Sequence, residues 1–263
     1  MTDLELAELA ARAAGELLAE RFGGPARGVE RKSSATDMVS DADRAAEEVV
    51  AGLLRRERPD DALLGEEGGA EPGASGRRWV VDPLDGTTNF LYGFPQWAVS
   101  VAVEDGDGPL AGAVLDPVRA ELFRAARGAG AELNGEPVRV RDGTPLAEAL
   151  VATGFSYDPA RREAQARALA HVLPRVRDVR RPGAAALDLA WLAAGRLDGY
   201  WERGLGDWDW SAGRLLVAEA GGALADLPGE PAGLAAAGPA LLPELVELVS
   251  EAERAGAAGA GLT

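Results

Sequence analysis

The sequence of 263 residues contains no cysteine, a single histidine, His171, and a single lysine, Lys32. The absence of cysteine excludes disulfides, thiolate nucleophiles and thiolate metal sites. One histidine cannot form a histidine metal cluster, and we expect His171 to be a partly exposed residue of a helix over 159–173. The sequence also lacks a run of eighteen apolar residues, so we predict no membrane-spanning helix and no membrane partner.

The N-terminal segment, residues 1–22, lacks the features of a targeting peptide. It carries acidic residues from position 3, and it has neither a basic start nor an apolar core. Its apolar residues recur with helical periodicity, which predicts a first helix over 3–22. We therefore expect a cytoplasmic protein.

Positive charge is scarce, since 27 basic residues face 43 acidic ones and the net charge is −16. Such a chain is expected to repel a nucleic-acid backbone and an anionic membrane. It would also repel a phosphate-bearing substrate unless bound cations intervene. Hydrophobic residues make up 47 %, enough for the core of one large domain or of two closely packed halves.

The pattern of elements changes near residue 145. Before it we predict a helix from a cap at Ser40 or Asp41 to Arg58 and a surface loop over 68–76. A hairpin turn is expected at Asn134-Gly135. The predicted strands of this half cover 62–65, 79–81, 98–103 and 110–115. After it, a strand over 149–153 and helices over 159–173, 184–195, 211–221 and 239–254 indicate an α/β half. The division is therefore 1–145, 146–254 and a flexible tail, 255–263.

The most informative segment follows the apolar strand Trp79-Val80-Val81. That strand is expected to end at Asp82, and Asp85 follows three residues later. Pro83 fixes the backbone between them. Leu84 can contribute only its carbonyl oxygen, which is a hard ligand. The segment can therefore supply several oxygen ligands to a cation.

The next residues suit an anion. Gly86 allows a sharp turn, and Thr87-Thr88 is expected to open a helix. The free N–H groups and the positive dipole of a helix N-terminus favour phosphate. On this pattern alone, an ordinary acidic strand-to-helix turn is an equal alternative.

Two further acidic elements accompany this segment. Gly65-Glu66-Glu67 follows a short apolar run, and Trp208-Asp209 precedes a predicted helix. Taken separately, surface glutamates and helix-capping aspartates are common. Taken together, these residues offer only oxygen ligands, which favours Mg²⁺, Mn²⁺ or Ca²⁺ over Zn²⁺ or copper.

These motifs resemble those of the inositol monophosphatase family, within the lithium-sensitive sugar-phosphatase superfamily. Trp79–Phe90 is similar to the first signature of that family. Trp208–Gly213, followed by Glu219–Gly222, is similar to the second. Other matching positions, in chain order, are Lys32, Ser33, Ser34, Asp37, Asp43, Gly65–Glu67, Asn134-Gly135 and Trp201-Glu202.

The resemblance implies a layered αβαβα sandwich with its site between the two halves, so the fold class is α+β with an α/β half. It implies two to three Mg²⁺ ions, with Mn²⁺ as a possible substitute. The implied ligands are Glu66, Asp82 and the Leu84 carbonyl for the first ion, and Asp82, Asp85 and Asp209 for the second. A looser third ion would involve Glu66.

The resemblance also implies the reacting groups. Glu66 and Thr87, the latter backed by Asp43, would orient and deprotonate the attacking water. The N–H groups of Gly86 and Thr87 would bind the phosphate, and Lys32 would lie near the metal and anion site. The residues facing the leaving alcohol would be Asp85, Gly183, Ala184, Ala185, Glu202 and Asp209.

Some residues depart from the family pattern. Ala184 replaces a small hydroxyl residue found in many relatives, Pro182 is unusual at its position, and Asp207 adds a carboxylate near Asp209. These differences concern the fit of the substrate hydroxyls and leave the metal ligands intact.

The implied activity is hydrolysis of inositol 1-phosphate or a similar small phosphate ester, with a homodimer as the expected assembly and lithium as an inhibitor. Enzymes of similar fold that act on fructose 1,6-bisphosphate, histidinol phosphate, NADP or 3′-phosphoadenosine nucleotides are the nearest alternatives. A different class of function is an interaction protein for the transcription or ribosome machinery.

Overall fold

The computed structural model describes residues 1–25, 27–32 and 38–258. Ser33, Ser34 and Asp37 of the sequence comparison lie outside these ranges, as do residues 259–263. Within the described ranges the chain forms seven α-helices. The helices are α1 (Asp3–Arg21), α2 (Asp41–Glu57), α3 (Thr87–Leu91), α4 (Pro159–Val172), α5 (Ala185–Ala193), α6 (Asp207–Glu219) and α7 (Leu242–Ala258).

The strands of the first half form a two-stranded ladder and an eight-stranded sheet. The ladder pairs β1 (Glu30–Arg31) with β2 (Met38–Val39). The large sheet has the order β10-β9-β8-β7-β6-β5-β3-β4 and is antiparallel except between β3 and β5. Its strands are β3 (Ala62–Gly65), β4 (Gly69–Glu71), β5 (Arg78–Asp85), β6 (Ala98–Asp105), β7 (Gly108–Asp116), β8 (Glu121–Ala126), β9 (Gly130–Leu133) and β10 (Glu136–Pro137).

The second half contains a five-stranded sheet with the order β12-β11-β13-β15-β14. Strand β11 runs parallel to both of its neighbours, and β15 runs antiparallel to both of its own. The strands are β11 (Leu150–Thr153), β12 (Asp178–Arg180), β13 (Gly199–Arg203), β14 (Ala223–Leu227) and β15 (Gly233–Ala237).

Three apolar clusters separate five layers. Helices α1 and α2 cover the outer face of the large sheet, where Leu6 and Val50 lie in one cluster with Val81. Helices α5 and α6 fill the space between the sheets and join Val114 of β7 to Ala236 of β15. Helices α4 and α7 pack together, and α7 covers the outer face of the small sheet. The predicted αβαβα sandwich is confirmed.

Local sequence explains the ends of the first helices. Thr2 and Glu5 form a reciprocal capping box at α1, and Ser40 and Asp43 form another at α2. The predicted cap at Ser40 is therefore confirmed. The predicted strand over 62–65 is also confirmed, as β3. Asn134 and Gly135, both with positive φ, make the expected turn between β9 and β10.

Several predicted boundaries were wrong. The strand predicted over 79–81, with Asp82 at its end, continues to Asp85, because the chain pairs with β6 again at Asp85, beyond a bulge that follows Asp82. The loop predicted over 68–76 contains strand β4, which is paired along the edge with β3. The last helix begins at Leu242 and continues to Ala258, four residues into the expected tail.

Candidate metal centre and its surroundings

Three acidic side chains from two elements meet where the large sheet faces the second half of the chain. Asp82 and Asp85 lie on β5 and are 1 % and 6 % exposed, and Asp209 lies on the first turn of α6. One carboxylate oxygen from each lies within 4.8 Å of the others. The structure thus brings together the two acids of the first motif and the single acid of the second.

The bulge in β5 explains how Asp82 and Asp85 reach the same place. Side chains three positions apart on a regular strand point to opposite faces of the sheet. The register shift between them changes this direction, and Asp82 Oδ1 accepts the Leu84 N–H at 2.9 Å inside the irregular segment. The backbone around Pro83 therefore directs both acids into the site.

Asp85 is held from the opposite side of the site by the N-terminus of α5. Its carboxylate accepts the N–H groups of Ala185 and Ala186 at 3.1 and 2.8 Å, with Leu187 at 3.4 Å. The N-cap residue of α5, Ala184, has no side chain that could cap the helix itself. Asp85 thus satisfies the free donors of this helix and complements its dipole.

Asp209 lies within α6 and not before it, which corrects the sequence prediction. The helix begins at Asp207, and Asp209 occupies its third position, where it accepts the Gly206 N–H at 2.6 Å. One carboxylate oxygen is thereby used to close the helix start. The same contact fixes the direction of the side chain towards β5.

The electrostatics of the three acids suit a divalent cation. Burial raises the pKa of Asp82 well above its usual value, and repulsion from Glu66 and Asp85 adds to this effect. Burial and the charge of Asp85 likewise raise the pKa of Asp209. For Asp85, burial raises the pKa to about 7 against the lowering effect of the α5 N–H groups. Like charges held together in this way favour a cation that neutralises them, and an all-oxygen set fits Mg²⁺.

Glu66 lies beside this group without being one of the three acids that meet within 4.8 Å in the described residues. Its Oε1 accepts a hydrogen bond from Lys32 Nζ at 2.8 Å, and a hydrogen bond to Glu66 contributes to the raised pKa of Asp82. Lys32 Nζ also donates to Glu67 at 2.5 Å. The single lysine of the chain therefore neutralises part of the negative charge at the edge of the site.

Thr87 is the buried hydroxyl of the centre. Its Oγ1 lies 2.8 Å from Asp43 Oδ1 and 3.1 Å from the Leu84 carbonyl oxygen. A hydroxyl has one proton and can donate to only one of these at a time. The other oxygen of Asp43 accepts the N–H and hydroxyl of Ser40, so Asp43 is firmly held.

Gly86 makes the turn between β5 and α3. Its φ of 90° lies in the left-handed region, and an added Cβ would lie 2.9 Å from the Gln96 carbonyl oxygen. Both Gly86 and Thr87 line the cavity beside the three acids. The expected helix start at Thr87 is confirmed, although α3 ends after five residues.

The second half of the chain forms the side of the cavity opposite β5. The cavity has a volume of about 760 Å³, and its lining includes Gly183, Ala184, Ala185 and Glu202 together with Lys32. All residues predicted to face the alcohol therefore border the same space as the acids.

Glu202 is positioned by contacts that the sequence motifs did not reveal. The Tyr200 hydroxyl donates to Glu202 Oε2 at 2.7 Å, and Gly154 leaves room for the carboxylate, since a Cβ there would lie 1.9 Å from Oε1. Burial raises the pKa of Glu202 to about 7, against the lowering effects of the Tyr200 hydrogen bond and Arg181. Side chains alternate between the two faces of a strand, so a predicted strand at β13 would have placed Tyr200 and Glu202 on the same face. The sequence analysis did not predict this strand.

Asp188 is another residue that sequence reasoning missed. It is 1 % exposed on α5, and its Oδ1 has no hydrogen-bond partner among the described residues. Burial raises its pKa, and the charges of Asp85 and Glu202 add to this effect. In contrast, His171 is exposed on α4 as predicted and lies away from the cavity lining.

Comparisons with known proteins show the family to which the chain is similar. The model of the inositol monophosphatase family matches residues 2–258. The Nus factor SuhB of Pseudomonas aeruginosa is 44 % identical over 243 residues, covering 86 % of each chain. The inositol-1-monophosphatase of Mycobacterium bovis is 46 % identical over 210 residues, covering 76 % of this chain and 72 % of that protein.

Solved structures show the same architecture. The extragenic suppressor protein SuhB of Bartonella henselae aligns with a TM-score of 0.88 at 38 % identity, covering 94 % of this chain and 98 % of that one. Among the described residues, none of the helices combines the length and the hydrophobicity that a membrane span requires. The chain therefore belongs to the inositol monophosphatase family, whose members are phosphoric monoester hydrolases.

Proposed function

We propose that the protein is a Mg²⁺-dependent phosphatase that hydrolyses inositol 1-phosphate or a similar small polyol or sugar phosphate. The observation that carries this proposal is the meeting of Asp82, Asp85 and Asp209 within 4.8 Å at the wall of a cavity of about 760 Å³. Such a buried acidic group in a chain of net charge −16 can accept a phosphate ester only when cations offset its charge.

The cation ligands in this proposal are the three aspartates, Glu66 and the Leu84 carbonyl oxygen. Asp82 is the most deeply buried of the three aspartates, at 1 % exposed, and would be a ligand of the cation. Bound Mg²⁺, with Mn²⁺ as a substitute, would supply positive charge that makes a nearby water more acidic and stabilises charge on the phosphoryl and leaving oxygens.

Thr87 and Asp43 form the proton-accepting pair. The Thr87 hydroxyl donates to Asp43 at 2.8 Å, so its oxygen can accept a hydrogen bond from a water in the cavity. As that water loses a proton to the Thr87 oxygen, the hydroxyl proton of Thr87 would pass to the Asp43 carboxylate, which becomes protonated. Glu66, on the neighbouring side of Asp82, can orient the same water. The pair is buried within the core that α2 forms with β5, so its geometry is preorganised.

The substrate would lie across the two halves. Gly86 and Thr87 line the cavity, and their backbone N–H groups would bind the phosphate, while Lys32 would contribute positive charge at the edge of the site. On the far side, Glu202 and the backbone at Gly183 offer acceptors to the hydroxyls of a polyol. Ala184 presents no hydroxyl there, so recognition of the alcohol at this point depends on backbone atoms.

The test is a panel of phosphate esters assayed for released phosphate with and without Mg²⁺, accompanied by Li⁺ titration. We expect turnover only with Mg²⁺ or Mn²⁺, with inositol 1-phosphate above fructose 1,6-bisphosphate, histidinol phosphate, NADP and 3′-phosphoadenosine nucleotides. The variant Asp82→Asn should fold but lose turnover by at least about 10³-fold. Near-native turnover of this variant at saturating Mg²⁺ would contradict the proposal.

A second role, as an interaction protein, is favoured by one observation. A relative that is 44 % identical over 86 % of this chain is named as a Nus factor. We therefore also propose contact with a basic protein of the transcription or ribosome machinery, in line with the acidic charge. Affinity purification with the Asp82→Asn variant would separate this role from catalysis, because partner capture should survive the loss of turnover.

The proposed assembly is a homodimer, as the family resemblance implies, and the proposed location is the cytoplasm. Light scattering combined with size-exclusion chromatography should give about twice the chain mass of 27.2 kDa. A mass equal to one chain over the working concentration range would overturn this part of the proposal.

A further inference from the structure

Helix α2 presents two buried acids towards the site. Asp43 and Glu47 are 0 % and 8 % exposed and lie one helical turn apart on the same face. A buried carboxylate is costly unless hydrogen bonds compensate for its lost hydration. Asp43 is compensated by Ser40 and Thr87, as described above. Glu47 has no role in the proposed chemistry, so the reason for burying its carboxylate must lie in its other contacts.

Both oxygens of Glu47 bind the turn that follows β3. Oε2 accepts the Glu67 N–H at 2.8 Å, and Oε1 accepts the Gly68 N–H at 2.5 Å. The approach is so close that a Cβ on Gly65 or Gly68 would lie 2.6 or 2.5 Å from the carboxyl group of Glu47. The glycines on either side of the glutamate pair thus make room for this one side chain.

Glu66 is the residue held between these contacts. Its own N–H donates to the Val81 carbonyl oxygen at 3.2 Å, next to Asp82 on β5. The chain is therefore held at Glu66 by β5 and at the next two residues, Glu67 and Gly68, by Glu47. Glu66 lines the cavity, whereas Glu47, within the described residues, does not.

We propose that Glu47 is a positioning residue that directs Glu66 towards the cation. One face of α2 would then position two groups of the site, Thr87 through Asp43 and Glu66 through Glu47. This inference rests on the proposed function, in which Glu66 is a cation ligand. Glu47 touches neither the cavity nor the reacting atoms and acts only through the backbone of the 66–68 turn.

The experiment is isothermal titration of the full chain with Mg²⁺ alone, comparing the wild type with Glu47→Gln. A glutamine has one acceptor oxygen, so its NH₂ group would face one of the two backbone N–H groups. We expect Mg²⁺ affinity to fall by about 10- to 100-fold, the usual effect of removing a group that orients a ligand. The matched control is Glu48→Gln, an exposed neighbour on the same helix, which should bind as the wild type does.

A double-mutant comparison separates positioning from general destabilisation. In a Glu66→Gln background, Glu47→Gln should change Mg²⁺ affinity by no more than about twofold, because the residue that it aims has already been removed. A purely structural role would instead produce the same loss in both backgrounds. The melting temperature of each variant is recorded in parallel.

Glu47→Asp provides a second variant should the glutamine protein fail to fold. It keeps the charge but is one methylene shorter, so it should show a weaker form of the same loss. Wild-type Mg²⁺ affinity in either folded variant, or an undiminished effect of Glu47→Gln in the Glu66→Gln background, would overturn the inference. Absence of Mg²⁺ binding by the wild type would instead overturn the proposed function.

Discussion

Replacing Asp209 by asparagine is predicted to stabilise the metal-free protein. Its carboxylate oxygen lies within 4.8 Å of an oxygen from both Asp82 and Asp85. At this separation two unit charges repel by about 3.5 kcal/mol when the effective dielectric constant is about 20. Asparagine removes the charge in two of the three pairs and keeps an oxygen that can accept the Gly206 N–H.

The full repulsion is not released, because the raised pKa values of these carboxyl groups allow some of them to remain protonated. We therefore expect the free energy of unfolding in EDTA at pH about 8 to increase by about 3 kcal/mol. For a chain of this size, that corresponds to a rise in melting temperature of roughly 6–12 °C.

The assay is thermal unfolding followed by fluorescence, first in EDTA and then in Mg²⁺. In Mg²⁺ the order should reverse, because ligand binding stabilises the wild type and not the variant. The matched control is Asp207→Asn, two residues earlier on α6, which loses an ion pair with Arg78 and leaves the three acids unchanged. Destabilisation of Asp209→Asn in EDTA, or a wild-type response of that variant to Mg²⁺, would refute the electrostatic reasoning.

Three other predictions concern the same cavity. The pKa of Asp85 is raised to about 7 in the folded protein, so its contribution to stability is present at low pH and is lost as pH rises towards about 7. The melting temperature in EDTA should therefore fall between pH about 4 and 7, and Mg²⁺ should remove this trend. A flat profile in EDTA would contradict this prediction. Thr87→Val should lower kcat by about 10²- to 10⁴-fold, whereas Thr87→Ser should retain most activity because it keeps the hydroxyl that contacts Asp43. An equal loss of kcat in both variants would argue against proton transfer through the hydroxyl. Gly154→Ala should displace Glu202 and raise KM for inositol 1-phosphate by about tenfold, with a smaller rise in KM for phosphate esters of short alcohols. An equal rise in KM for all esters of the panel would count against a role of Glu202 in recognition of the alcohol.

The layered fold was accessible through family resemblance, whereas several of its strands were not. Strand β15, Gly233–Ala237, consists of glycine, leucine and alanine and is fully buried between β13 and β14. Alanine and glycine have low β-propensity, so packing against neighbours and not local preference makes this segment a strand. Edge strand β4 was missed for a similar reason, since its glycine-rich surroundings favour a loop.

In the candidate site too, some residues were predicted from the sequence and others were found only in the structure. Asp82, Asp85 and Asp209 were identified from their motifs, but the motifs alone do not show how close their oxygens lie. Glu47 carried no motif of its own, because its function depends on backbone groups twenty residues away that α2 meets only after folding. Tyr200 was missed because the strand that aligns it with Glu202 was not predicted.

By itself, the sequence determined the chemistry available to this protein. Without cysteine and with one histidine, it leaves carboxylates, hydroxyls and backbone oxygens as the groups that can bind a cation. Only the tertiary structure decided their arrangement. The bulge in β5, the start of α6 and the N-terminus of α5 come from distant parts of the chain. Their packing around one cavity turns separate acids, each unremarkable in the sequence, into a group whose mutual repulsion favours a bound cation.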